Sequence, residues 1–246
     1  MSNETKLPLS ESFYSLQGEG PTTGHPAVFV RLAGCNLMCG GQGTQFDGEL
    51  HNGATWRCDT LEVWMQASMK TFDDTLDEES KQALRNGANL IITGGEPTMQ
   101  DGKVTRYIDW IRETFNQNCY VEIETNGTIT PSQQLRDRVN QFNVSPKLAN
   151  SGNEKSTRWK PETIKVLNDH PGSVFKFVMT TMKDYDEIVL DYLDIIDRDK
   201  VWLMPSGENQ ELLNQSKQVV AELAKTKNHK LTTRLHIEIW DKKTGV

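Results

Sequence analysis

No stretch of this 246-residue chain approaches the roughly 20 consecutive apolar residues that a membrane-spanning helix needs. The polar start, Met1-Ser2-Asn3-Glu4-Thr5-Lys6, contains no signal-peptide core. A surplus of basic charge is missing as well: 27 Lys and Arg stand against 34 Asp and Glu, a formal net charge of −7. Phosphate binding wants a basic face, so this balance argues against direct nucleic-acid contact and for a small substrate. Cysteine is scarce, at four residues, and clustered thiols without an export signal fit the reducing cytoplasm. There is no internal repeat, no second-domain boundary, and no serine or cysteine nucleophile in a hydrolase setting. The expectation is one soluble enzyme domain over residues 1–246, large enough to bury about 70–75% of its unfolded surface.

What is present is an alternation of β-branched apolar runs with longer amphipathic stretches, the pattern of a parallel sheet with crossover helices. Strands are predicted at Ala27–Ala33, Asn89–Thr93, Tyr120–Thr125, Asn143–Ser145, Val174–Met179, Val201–Met204 and Leu235–Ile239. Helices are predicted at Leu61–Lys70, Leu76–Asn86, Val104–Phe115, Pro131–Phe142, Tyr185–Ile196 and Gln210–Lys225. The fold class is α/β, as a closed or partial barrel. The polar stretch from Asn150 to Lys160 reads as a flexible internal loop.

Three of the four cysteines fall close together. Cys35 and Cys39 form a CxxxC pair in Gly34-Cys35-Asn36-Leu37-Met38-Cys39, and eighteen residues separate Cys39 from Cys58. Three thiolates can hold three irons of a cubane cluster and leave the fourth open, but soft thiolates also suit zinc, and reduced cysteines can simply be buried. The spacing leaves these readings open. Cys119, which opens a β-rich run, reads as a small buried hydrophobe. Asp47 and His51, between Cys39 and Cys58, are weaker metal-ligand candidates.

The surrounding motifs decide more. Leu16-Gln17-Gly18-Glu19-Gly20, Phe29-Val30-Arg31-Leu32-Ala33-Gly34-Cys35-Asn36-Leu37 and Cys58-Asp59-Thr60 are followed in order by Thr93-Gly94-Gly95-Glu96-Pro97 and Glu124-Thr125-Asn126-Gly127-Thr128. Ser145-Pro146-Lys147, Leu203-Met204-Pro205 and Arg234-Leu235-His236 complete the series. Together these resemble the radical S-adenosylmethionine enzymes and, within them, the 7-carboxy-7-deazaguanine synthase family. The departure is at the cysteines: the usual pattern is CxxxCxxC, and here a glycine-rich polar insertion of about residues 40–56 precedes the third. Loop closure costs only about 0.6 kcal/mol per doubling of length, so a widened motif can keep its ligand set.

The resemblance implies a partial, incomplete TIM-like barrel of the radical S-adenosylmethionine type, with its site at the C-terminal ends of the strands. It implies a [4Fe–4S] cluster on Cys35, Cys39 and Cys58. S-adenosylmethionine falls to Cys58, Asp59, Gly94, Gly95, Glu96, Thr125, Asn126, Ser145, Pro146, Lys147, Met204, Pro205, Ser206 and Gly207. Leu16, Gln17, Gly18, Glu19, Arg31, Thr93, His236 and the terminal Val246 surround 6-carboxy-5,6,7,8-tetrahydropterin, and Thr60 contacts Mg²⁺. The implied reaction is a radical ring contraction to 7-carboxy-7-deazaguanine with loss of ammonia, fed by a one-electron reductant such as a flavodoxin, in a homodimer. The rival readings are a radical activase acting on a partner protein and a non-catalytic metal-binding or regulatory protein. S-adenosylmethionine cleavage separates the last from both enzymes, and dependence on pterin separates the enzymes.

Overall fold

The computed structural model describes residues 5–243 and 245. Its frame is one sheet of nine strands among the described residues: β1 Lys6–Leu16, β2 Pro26–Leu32, β3 Ser68–Thr71, β4 Asn89–Gly94, β5 Val121–Thr125, β6 Gln141–Val144, β7 Ser173–Met179, β8 Val201–Pro205 and β9 Lys230–Leu231. They lie in the order β3-β1-β2-β4-β5-β6-β7-β8-β9. From β2 to β9 every neighbouring pair is parallel, whereas β1 runs antiparallel to both β2 and β3. The sheet ends at β3 and β9 without closing, so the barrel is partial, as expected.

Alternation along each strand sorts the side chains into two environments. Val28, Val30, Leu32, Leu90, Ile92, Val121, Ile123, Phe142, Val144, Phe175 and Phe177 join the core that the crossover helices cover. The opposite, interior face carries Phe29 and Ile91 with Phe13 at one side. Farther along, the same face carries Glu122, Gln141, Asn143 and Lys176, all buried. Caps fix the helix starts: Asp77 accepts from Ser80 N at 2.8 Å, and Asn209 accepts from Leu212 N at 2.9 Å. Among the described residues no helix is long and apolar enough to cross a membrane.

Several local expectations change. Leu235, Ile237 and Ile239 alternate like a strand, yet Leu235–Trp240 is a helix. The sheet has already ended at β9, and only Ile237 is fully buried while Ile239 is 49% exposed, so no strand neighbour rewards extension. The predicted helix Leu61–Lys70 stops at Trp64, because Ser68–Thr71 pairs with the exposed edge of β1, itself an unpredicted strand. Pro131–Phe142 shrinks to a turn of helix at Gln133–Arg136, and Gln141–Val144 becomes β6. A further helix, Pro161–Asn168, starts with proline at its first turn. The stretch 150–160 is ordered: Arg158 is 5% exposed and donates to Asn153 O at 3.0 Å and Lys147 O at 3.1 Å.

Candidate active site

A cavity of about 960 Å³ lies at the C-terminal ends of the parallel strands. Cys35, Cys39 and Cys58 all line it, as do Gly94, Gly95, Thr125, Asn126, Ser145, Lys147 and Met204 through Gly207. So do Leu16 through Glu19, Arg31, Thr93, His236, Asp59 and Thr60. Residues scattered over 220 positions of sequence therefore share one space. Two expected residues stand back from it, Glu96 and Pro146, both buried. Val246 lies outside the described residues.

All three cysteines are free thiols. The eighteen-residue gap is bridged directly, since Cys58 N donates to Cys39 O at 3.2 Å. Asn126 Nδ2 reaches Cys35 Sγ at 3.9 Å, and Asn153 Nδ2 reaches Cys39 Sγ at 3.6 Å. Burial pushes the Cys35 thiol up to about 11 and the Cys39 thiol up to about 12, with Lys147 opposing both. Asp47 and His51 are paired with each other, Nε2 to Oδ2 at 2.8 Å, on the exposed side of the insertion. Lys147 donates to Ser145 Oγ at 3.0 Å and stands 5.6 Å over the Trp56 ring.

The Gly94-Gly95-Glu96 turn lines the cavity at its glycines and also packs closely against the cysteine segment. Gly95 N donates to Leu32 O at 3.0 Å and Glu96 N to Gly34 O at 2.8 Å, so this turn is laced to the segment that delivers Cys35. A Cβ on Gly95 would overlap Gly34 O and approach Cys35 N to 2.7 Å; one on Gly94, at φ +133°, would overlap Leu32 O. The glycines admit the chain's own backbone. The Glu96 carboxylate is buried and taken up by the protein's own donors. Its Oε1 accepts from Thr98 N, Thr98 Oγ1 and Thr125 Oγ1, and its Oε2 accepts from Asn126 N at 2.7 Å. Burial pushes its carboxyl up despite those donors.

The far side of the cavity is dominated by charge. Glu19 accepts from Lys176 Nζ at 2.9 Å and Arg234 Nε at 3.0 Å, while Arg234 Nη2 also grips Asp59. Glu19 and Asp59 are thus held by protein cations rather than left free. Arg31 gives its Nε to Glu11 at 2.7 Å. Gln17 Nε2 lies 3.5 Å from Glu124 Oε1, whose other oxygen accepts from Thr93 Oγ1 at 2.7 Å. His236, carried by the terminal helix, fills the space beside Gly18, where any Cβ would overlap its ring. Burial, then the Arg234 charge, pushes its imidazole down toward the neutral form.

Burial works against ionisation of Glu19, but Lys176 and Arg234 outweigh it and hold the carboxyl well below the ordinary range. A carboxyl depressed in the folded state contributes stability that is fully present above its unfolded value, about 4.3, and is lost as pH falls toward the folded value. Tm followed from about pH 6 to about pH 3 is expected to fall below that point. Glu19→Gln lowers Tm at neutral pH and makes the acid slope shallower; an unchanged slope contradicts the pairing.

Proteins named 7-carboxy-7-deazaguanine synthase resemble the chain along nearly its whole length. The Halobacterium salinarum protein is 32% identical over 96% of this chain and 91% of its own. The Pyrobaculum aerophilum protein is 30% identical over all of both chains, and that of Rhodopirellula baltica 30% over 99% and 90%. The chain belongs to the 7-carboxy-7-deazaguanine synthase family. The fold agrees with the crystal structure of QueE from Escherichia coli, at a TM-score of 0.63 and 23% identity over 94% of this chain and 95% of that one. No family model matches the chain.

In this 7-carboxy-7-deazaguanine synthase family member, sequence reasoning passed over Asn143, Lys176 and Trp56, which line the cavity, and assigned no role to Glu124 or Arg234, which line it too. A signal existed for Glu124, Asn143 and Lys176. Glu122 and Glu124 alternate with Val121 and Ile123, Asn143 sits between Phe142 and Val144, and Lys176 sits between Phe175 and Phe177. Polar residues at period two in buried strands mark an interior polar face. Arg234 stood within a recognised motif, but its ion pairs need the fold.

Proposed function

We propose that this chain catalyses the radical-mediated ring contraction of 6-carboxy-5,6,7,8-tetrahydropterin to 7-carboxy-7-deazaguanine with loss of ammonia, a lyase reaction in queuosine-type 7-deazapurine biosynthesis. The observation that carries the reading is that one cavity joins three free thiols to a wall of hydrogen-bonding and charged groups, in a chain similar to named synthases end to end.

The donor set fits a [4Fe–4S] cluster. A cubane takes one iron per thiolate, so Cys35, Cys39 and Cys58, which line one cavity, supply three ligands and leave the fourth iron open. When bound, the reduced cluster and S-adenosylmethionine supply the radical that starts the reaction.

The protein's part is to bind, orient and exclude water. Ser145 and Lys147 offer a hydroxyl and an ammonium to a carboxylate near the thiols, with Thr125, Asn126 and the Met204–Gly207 segment as neighbouring walls. Gln17, Thr93, Glu124 and Arg31 offer amide, hydroxyl, carboxylate and guanidinium to a flat polar heterocycle carrying one carboxylate. Thr60 Oγ1, 3.6 Å from Cys58 Sγ, can give Mg²⁺ one oxygen, but Asp59 is engaged by Arg234, so substrate and water complete the shell. A homodimer and a flavodoxin-type reductant complete the proposal.

The test is anaerobic reconstitution with iron and sulfide, reduction, and assay of 5′-deoxyadenosine with and without the pterin and Mg²⁺. Pterin-dependent formation together with 7-carboxy-7-deazaguanine is expected. A zinc-only protein that cleaves no S-adenosylmethionine overturns the reading. Arg31→Ala is expected to weaken pterin binding by about 1.5–3 kcal/mol if its guanidinium holds the carboxylate. Calorimetry with an unreactive pterin carboxylate checks this, and an unchanged Kd removes Arg31 from the site.

A further inference from the structure

The widened cysteine motif is gripped at both ends by one short segment, residues 149–153. At the Cys39 end, Asn153 Oδ1 accepts from Met38 N at 2.9 Å. That bond fixes which way the amide faces, leaving Nδ2 to reach Ser151 Oγ at 3.1 Å and Cys39 Sγ at 3.6 Å. Gly40 N donates to Ser151 O at 3.0 Å. At the Cys58 end, Asn150 O accepts from Thr55 N at 2.8 Å and its Oδ1 accepts from Trp56 Nε1 at 3.0 Å. Its Nδ2 donates to Val178 O at 3.0 Å, which ties the insertion to β7. Gly152, at φ +74°, lies so close to the insertion that a Cβ would come 2.8 Å from His51 O. Behind the segment, buried Arg158 holds Asn153 O, Lys147 O and the Glu187 carboxylate.

We infer that Asn150 and Asn153 serve this widened motif in two distinct ways, Asn150 as the positioning residue that anchors the Cys58 end and so retains the cluster, and Asn153 as the donor of a hydrogen bond to the Cys39 sulfur that sets the cluster's potential. The inference rests on the cluster assigned under the proposed function. An N–H aimed at a thiolate stabilises negative charge on sulfur, and the reduced cluster carries one electron more than the oxidised. The donor therefore favours reduction and raises the midpoint potential. Among the described residues Asn150 makes its hydrogen bonds to Thr55, Trp56 and Val178 and none to a sulfur, so its effect is on retention of the cluster and not on its potential.

The experiment compares wild type with Asn153→Ala, Asn153→Asp and Asn150→Ala after anaerobic reconstitution, without S-adenosylmethionine or pterin. It measures iron content, release of iron to a chelator, and the midpoint potential by spin-resonance titration. Asn153→Asp keeps the acceptor for Met38 N and removes the donor to sulfur. Both Asn153 variants are expected to hold a cluster at a more negative potential than wild type. Asn150→Ala is expected to keep the wild-type potential and lose iron several-fold faster. An unchanged potential in Asn153→Ala overturns the donor role, as does loss of the cluster from both Asn153 variants, which leaves Asn153 an anchor only. A wild-type rate of iron release, or a potential shift equal to that of Asn153→Ala, overturns the role of Asn150. Wild-type protein that takes up no cluster refutes the proposed function itself, so the two failures are distinct.

Discussion

Cys35→Ala, Cys39→Ala and Cys58→Ala are each expected to lose the reconstituted cluster and all turnover, while Cys119→Ala keeps both. The first three thiols line one cavity, so under the proposed ligand assignment removal of any one leaves an iron without its ligand. Cys119 is 2% exposed and packs in the helix-covered core on the other face of the sheet. Its truncation removes one buried sulfur, a cost of roughly 1 kcal/mol that leaves the fold and the cavity intact. Iron and sulfide content with visible absorbance, measured anaerobically, checks all four. Cluster loss in Cys119→Ala, or its retention in any of the others, sinks the ligand assignment.

Gly95→Ala is expected to be nearly as damaging, although it adds a single methyl group. That methyl meets Gly34 O and Cys35 N, which are backbone atoms and cannot rotate away. Relief requires the Gly34–Cys35 segment to leave the end of β4, which breaks the Gly95 N to Leu32 O and Glu96 N to Gly34 O hydrogen bonds. Overpacking of this kind costs about 1–3 kcal/mol before those bonds are counted. Cys35 is displaced with its neighbours, so cluster content is expected to fall along with Tm. Gly102→Ala, on the helix Asp101–Thr114, is the control: there the nearest atom is the end of Arg106, 3.8 Å away, and Tm is expected to hold or rise slightly. A Gly95→Ala protein with wild-type iron content contradicts the close approach.

Much of the active-site layer was legible because its residues are placed by strand ends. Thr93-Gly94-Gly95, Glu124-Thr125-Asn126 and Ser145-Pro146-Lys147 each end an apolar run, and β4, β5 and β6 deliver all three to one rim. Short β-branched apolar runs located those strands to within about two residues, since Leu90, Ile91, Ile92, Val121 and Ile123 are all fully buried. The terminal segment misled by its pattern. Leu235, Ile237 and Ile239 alternate as a strand would, but alternation says nothing about whether a neighbouring strand is available.

The sequence by itself determined the α/β class, the three thiols and the motifs that meet them, because these depend on local pattern and on residue chemistry. Only the tertiary structure decided that Glu19 and Asp59 are engaged by Lys176 and Arg234, that Gly95 makes room for the cysteine segment, and that residues 149–153 are a brace rather than a loose loop. Each of these is a contact between segments distant in the chain. Their energies come from closing a charge, a close approach or a hydrogen bond away from water, and no local pattern records which partner arrives to close it.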